Sequence, residues 1–262
     1  MRFGCCIGMN AEDVLGEKKI RYLAEAGYDY FEAALVDLVK LTGEQIERLL
    51  AISQETGIAC EAANVFFPGT LRLTGENVDR AKFEAYVTSS LAVAGRIGVQ
   101  SLVLGSSGAK NIPEGFPYER AYEQLVEELR FIDKEAAKNG VTVVIEPLNR
   151  RESNLIVSLK EGHELVHAAE FTNIRLLVDL FHFCRENDDP QWIVDYKEDL
   201  RHVHIANPGD RRYPTGPLPE FDWFFAKLKE AGYDSRISVE ANMKNFEADA
   251  KAFIENVKHY YW

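Results

Sequence analysis

The chain lacks the features that would take it to a nucleic acid or into a membrane. Lys and Arg number 30 against 42 Asp and Glu, a formal charge of -12, and no basic run exceeds a pair, so the electrostatic footprint of a duplex-binding protein is missing. No stretch approaches the roughly 20 apolar residues of a membrane-spanning helix. The opening MRFGCCIGMN has one basic residue and too short an apolar run for a secretory leader. Cysteine is scarce: Cys5, Cys6, Cys60 and Cys184 show no CxxC spacing, and an adjacent pair such as Cys5 and Cys6 rarely closes a structural disulfide. A reducing cytoplasm is the expected compartment. Two phosphate signatures are also missing. Gly4 and Gly8 do not supply GxGxxG after the first strand, and the loop Gly105-Ser-Ser-Gly108 lacks GxxxxGK[ST] and is not expected to lead directly into a helix.

What is present is a regular alternation of apolar β-rich runs with long helical patterns, most helices closing on Gly or Asn. The expected strands are Arg2 to Gly8, Tyr28 to Leu35, Ile58 to Phe67, Val99 to Gly105, Val141 to Asn149, Arg175 to Phe183, Arg201 to Ala206 and Arg236 to Ala241. The expected helices are Glu12 to Ala26, Thr42 to Thr56, Asn77 to Ile97, Pro117 to Lys138, Ser158 to Glu170, Pro190 to Leu200, Phe221 to Ala231 and Phe246 to Tyr260, the second opening on a Thr42/Gln45 capping box. Eight strand-helix units with no composition shift between halves favour parallel strands joined by crossovers. The 262 residues match one α/β barrel of about 250. A single (β/α)8 barrel over residues 1–262 is therefore expected, ahead of an open doubly wound sheet.

In such a barrel the carboxyl ends of all strands meet on one face, where active sites of this fold lie. The run VTVVIEPLN delivers Glu146 there, stopped by Pro147, and a buried carboxylate needs a charged partner or a metal. The other strand ends deliver Glu32, Asn64, Asp179 with His182, His204 and Glu240. Glu146, Asp179, His204 and Glu240 each interrupt an apolar strand at its end. Together they read as an oxygen-rich cage for one divalent ion, suited to Mn2+, Mg2+ or Co2+, with Zn2+ possible. Glu32 reads either as an ion-pair partner or as a substrate contact. Of the remaining histidines, His163 and His167 are expected to be solvated on a helix face, and His259 has no carboxylate context. His202 is expected to face the other side of its strand from His204, leaving only one of the pair as a ligand.

IEPLNRRE, VDLFHF, HVHIANPGDRRYPTG and SVEAN resemble successive signatures of the xylose isomerase-like barrel superfamily, in particular its sugar isomerases and epimerases of the tagatose and psicose ketose 3-epimerase type. The resemblance spans most of the chain. It implies that Glu146, Asp179, His204 and Glu240 ligate one divalent metal, Mn2+ foremost, and that Glu152, His182 and Arg211 touch a sugar. Arg211 stands slightly further from His204 than the corresponding arginine of the epimerases, so Arg212 competes for its place. The loop GSSGAKNIPEGFP resembles members called sugar phosphate isomerase/epimerase, and Lys110, Arg211 and Arg212 are the cations that would meet a phosphate.

The expected activity is metal-dependent epimerisation or isomerisation of a keto sugar or close derivative through an enediolate, with Glu146 and Glu240 as acid and base. A dehydratase of the inosose type and a non-catalytic sugar-binding barrel are the alternatives. An apurinic-site endonuclease of the same superfamily is disfavoured by the acidic charge and the shortage of strand-end histidines. Expected partners are a small sugar and, by resemblance, further copies of the chain in a dimer or tetramer, with neither nucleic acid nor membrane.

Overall fold

Eight parallel strands pair in sequence order, and the eighth closes on the first. This is the arrangement in a computed structural model that describes residues 1–260, apart from the side chain of His259, so the expectation for that histidine lies outside the described residues. In chain order the elements are β1 (Arg2–Ile7), α1 (Glu17–Ala26), β2 (Tyr30–Ala34), α2 (Leu35–Leu38), α3 (Gly43–Thr56), β3 (Cys60–Asn64), α4 (Arg80–Ile97), β4 (Ser101–Leu104), α5 (Ser107–Lys110) and α6 (Tyr118–Asn139). The second half holds β5 (Thr142–Ile145), α7 (Leu159–Val166), β6 (Ile174–Asp179), α8 (Leu180–Glu186), α9 (Gln191–Asp195), β7 (Leu200–Ile205), α10 (Pro219–Glu230), β8 (Arg236–Val239) and α11 (Phe246–Val257), followed by a 3-10 turn, Lys258–Tyr260. The fold is a (β/α)8 barrel, as the alternation predicts.

Local chemistry sets the boundaries, and it moves several of them. Thr42 accepts from the Gln45 amide while Gln45 reaches back to the Thr42 amide, the reciprocal cap expected for α3. Helix α1 begins at Glu17 instead of Glu12 because the Asn10 side chain accepts from the amides of Glu12 and Asp13 and folds that stretch into a turn. The expected strand Arg175 to Phe183 ends at Asp179. There the carboxylate accepts from the His182 amide at 3.0 Å and caps α8, so His182 stands on a helix. The Gly105 loop does enter a helix, the single turn α5, and the expected Pro190 to Leu200 helix is reduced to α9. The strands are mostly shorter than expected, because the apolar runs continue past the barrel into loops.

The outer core lies between the strands and the helices, where Phe3, Leu23, Leu49, Leu91, Leu129, Leu176 and Phe224 are all buried. Inside the barrel, Val103, Val144 and Leu177 form a small separate cluster. Next to it the interior is polar: Tyr30, Glu32, His202, His204 and Ser238 are fully buried. Gly4 makes this packing possible, since a Cβ there would fall 2.3 Å from the Tyr30 ring. The four cysteines are free thiols. Among the described residues no helix is long and apolar enough to cross a membrane.

Candidate active site

Four strands deliver a donor each to the carboxyl-end face. Glu146 is the first residue past β5, Asp179 the last of β6, His204 lies near the end of β7, and Glu240 is the first residue past β8. The register pairs Asp179 with His204, so these two are neighbours by sheet geometry alone. His204 Nδ1 lies 3.1 Å from Glu146 Oε1, 3.7 Å from Glu240 Oε2 and 4.0 Å from Asp179 Oδ2, and one donor atom from each of the four falls within 4.8 Å of the others.

Two observations test whether this set fits a metal ion. Asp179 Oδ2 is buried without a hydrogen-bond partner, although buried carboxylate oxygens are normally satisfied. Gly105 leaves the space that Glu146 uses: a Cβ at that position would stand 2.0 Å from Glu146 Oε2. The electrostatics agree. Burial pushes the Glu240 carboxyl up, and the nearby charges of Glu146 and Asp179 add to it against the pull of His204 and Arg211. Burial acts the same way on Glu146, but its hydrogen bond with His204 and the charges of His204, His182 and Lys110 hold it below the ordinary value. Burial would lower His204, yet Glu32, Glu240 and Glu146 drive it well above the usual imidazole range. A pocket that pulls a second proton onto this ring also attracts a cation, and three carboxylates with one imidazole suit a divalent ion.

Beneath the cage, Glu32 takes His204 Nε2 on one oxygen at 3.0 Å and His202 Nε2 on the other at 2.9 Å. Ser238 donates to the second oxygen at 2.6 Å, and Tyr30 OH lies 2.7 Å from the Ser238 hydroxyl. Glu32 is therefore an ion-pair partner inside the barrel, sealed from any substrate. The expectation for His202 fails here. Residues two apart on a strand share a face, so His202 and His204 both point inward and meet the same carboxylate.

Above the cage, the His182 ring accepts at Nδ1 from the Asn149 backbone amide at 3.1 Å, with the Asn149 side-chain amide 2.8 Å away. An Nδ1 that accepts leaves the proton on Nε2, and that nitrogen is buried without a partner. Arg211 donates to both oxygens of Glu152, at 2.9 and 3.1 Å, and to Glu240 Oε2 at 3.2 Å, with its guanidinium 5.0 Å from the Phe181 ring centroid. Arg211 holds φ at +58°, in the left-handed region, while Arg212 is half-exposed beside Asp210. The structure thus separates the two arginines: Arg211 faces the site and Arg212 does not. Asn64 donates to Glu240 Oε1 at 2.9 Å.

Lys110, one of the three cations expected to meet a phosphate, is instead turned into the protein. It is buried, and Nζ donates to the Glu146 backbone carbonyl at 3.1 Å; burial pushes its ammonium down to about 8, against the charges of Glu146 and Glu161. Asn149 escaped sequence reading. One side chain contacts both His182 and Glu152, at 2.8 and 2.9 Å, and only its place in the PLN segment directly behind Glu146 pointed to the site.

A closed eight-stranded barrel with convergent carboxylates and a histidine at its carboxyl mouth defines a class. The chain belongs to the xylose isomerase-like TIM barrel family, whose pattern matches residues 20–261. It is similar to 3-dehydro-D-guloside 4-epimerase of Escherichia coli (strain K12), 24% identical over 251 residues that cover 92% of each chain. It is also similar to D-psicose 3-epimerase of Ruminiclostridium cellulolyticum (strain ATCC 35319 / DSM 5812 / JCM 6584 / H10), 26% identical over 231 residues, 84% of this chain and 76% of that one. Among solved structures, D-psicose 3-epimerase with D-tagatose from Clostridium cellulolyticum H10 superposes with a TM-score of 0.88 at 21% identity over 99% of both chains. The relatives are named epimerases and isomerases, in keeping with an enzyme of the isomerase class.

Proposed function

We propose that this protein is a divalent-metal-dependent epimerase or isomerase of a keto sugar or close derivative, with Glu146 and Glu240 moving the proton. The observation that carries this reading is the convergence of two carboxylates from β5 and β8 on one imidazole, at 3.1 and 3.7 Å. Glu146, Asp179, His204 and Glu240 would hold the ion, Mn2+ foremost. When bound, it would supply Lewis-acid polarisation of a sugar carbonyl and its neighbouring hydroxyl.

The chain's own residues do the rest. Glu146, kept ionised by its surroundings, takes the proton from the carbon next to the carbonyl, and Glu240, whose carboxyl is pushed up, returns one. Return to the same carbon from the opposite face inverts it; return to the neighbouring carbon exchanges aldose and ketose. His182 donates from Nε2 to a sugar oxygen, and Glu152 with Arg211 meets hydroxyls further from the reacting carbon. The bond from Asn64 fixes which way the Glu240 carboxylate turns.

The test is incubation of the Mn2+-loaded protein with ketoses and 3-keto-glycosides in D2O, followed by proton NMR. Interconversion with solvent deuterium entering at the inverted or migrating centre is expected, and Glu146→Gln or Glu240→Gln should reduce it by about 10²- to 10⁴-fold. Deuterium entry at the wild-type rate in both variants would remove these residues from the acid and base roles. Loss of water in place of exchange would show a lyase.

A further inference from the structure

One cluster of metal-type donors has no part in the chemistry at the barrel mouth. His163 and His167 stand one helical turn apart, on α7 and at its C-cap, and both rings reach the same oxygen. His163 Nδ1 lies 2.7 Å and His167 Nε2 3.0 Å from Asp199 Oδ2. Asp199 immediately precedes β7, so the cluster sits at the amino ends of the strands, opposite the active site.

Each donor is held in place. The Asp199 amide donates to the Tyr196 carbonyl at 3.0 Å, and its own carbonyl accepts from the Leu176 amide at 2.9 Å, fixing it at the seam of β6 and β7. The His163 ring stacks on Tyr196 at 4.0 Å with 7° between planes, and the two imidazoles meet edge-on at 4.6 Å. The three donor atoms lie within 4.8 Å of one another. The side chain of Asp199 is only 11% exposed whereas that of His167 is 59% exposed, so the cluster has a fixed inner wall and an open outer side.

We propose that His163, His167 and Asp199 form a second cation site, for Zn2+ or a neighbouring late first-row ion. Two imidazoles with one carboxylate make a nitrogen-rich set, which favours such ions over the Mg2+ and Mn2+ suited to the three carboxylates at the other end. Three protein ligands leave an outer position for water, which enters past His167. Binding requires each ring to shift its proton from the nitrogen that now faces Asp199 to the other one, freeing a lone pair. Ligand bonds of about 2.0 to 2.1 Å at a tetrahedral angle separate donors by about 3.3 Å. The two histidine-to-Asp199 separations, 2.7 and 3.0 Å, need to open by about 0.6 and 0.3 Å to reach that value, and the exposed His167 has room outward. The bound ion ties α7 to the β6–β7 seam.

The chain is stripped with chelator, dialysed against buffered Zn2+, and its metal content and thermal unfolding are measured beside those of His167→Asn and the His163→Asn/His167→Asn double variant. Wild type should hold one Zn2+ more per chain than either variant, whatever number the barrel mouth retains, and should show a zinc-dependent rise in Tm that the variants lose. Equal zinc content, or equal zinc-dependent rises, overturns the site and leaves a pair of hydrogen bonds. Should the variants not fold, the wild-type imidazole nitrogen resonances decide. Saturating Zn2+ should move those of His163 and His167, and resonances unmoved by zinc overturn the proposal.

Discussion

Glu32 fixes the orientation of His204: its Oε1 lies 3.0 Å from Nε2, and both side chains are fully buried. A carboxylate only accepts, so Nε2 carries the donated proton and Nδ1 is the nitrogen presented to Glu146, Glu240 and Asp179. The other Glu32 oxygen is occupied by His202 and Ser238, which prevents the carboxylate from swinging away. In the proposed metal site, Glu32 would be the outer carboxylate that sets the tautomer and basicity of His204 as a ligand.

Replacing Glu32 by Gln should therefore weaken Mn2+ binding by about 10- to 100-fold. Isothermal titration of the metal-free protein measures it. At saturating Mn2+ the activity should largely return, because Glu32 touches no substrate. An unchanged affinity would mean that the Glu32 bond does not govern how His204 is presented.

Gly105→Ala should damage the site more than the fold. The added methyl would stand 2.0 Å from Glu146 Oε2 and displace that carboxylate, while Gly105 itself has no positive φ to strain. A fall in kcat of more than about tenfold, with a Tm change of a few degrees at most, is expected. Full activity would show that Glu146 can act from a second position.

His182→Ala should chiefly affect substrate handling. The buried Nε2 proton has no protein partner, so its removal deletes a bond made only when substrate is present. A loss of about 1.5 to 3 kcal/mol, or roughly 10- to 150-fold in kcat/KM, is expected with the Mn2+ affinity little changed. Asn149→Ala should produce part of the same loss, since Asn149 contacts both His182 and Glu152. If instead metal affinity collapses and kcat/KM at saturating metal is normal, His182 belongs to the metal cage.

Stability should carry a pH signature from Glu128 on α6. Burial pushes its carboxyl up to about 7, although Arg80 donates to it at 2.7 Å. Because that value stands above the ordinary 4.5, the folded state holds more proton between the two, and the stability contributed by this group falls as pH rises from 4.5 to about 7. Glu128→Gln removes the titration, so its Tm relative to wild type should improve between about pH 5 and pH 8. Parallel Tm curves would show that Glu128 titrates normally.

Much of the architecture was legible because it rests on local rules. Period-2 and period-3.6 patterns marked the eight units, and Thr42 with Gln45 announced its own cap. The convergence of Glu146, Asp179, His204 and Glu240 could be read from strand ends, because a closed parallel barrel brings every carboxyl end to one rim. The strand limits were less legible: Asp179 ends β6 by capping α8 in the middle of an apolar run, and hydrophobicity does not change there.

The barrel, its rim and the residue types gathered there follow from local pattern, since apolar period and punctuation set the succession of strands and helices. What each side chain faces emerges only in the folded barrel. Glu32 is buried against His202 and His204, Lys110 is turned to the Glu146 carbonyl, and Arg211, not Arg212, reaches Glu152 and Glu240. His163 and His167 meet at Asp199, over thirty residues further along the chain. The physical reason is that orientation depends on contacts made after the strands have closed: distant partners fix a rotamer, and they are not encoded in spacing along one strand.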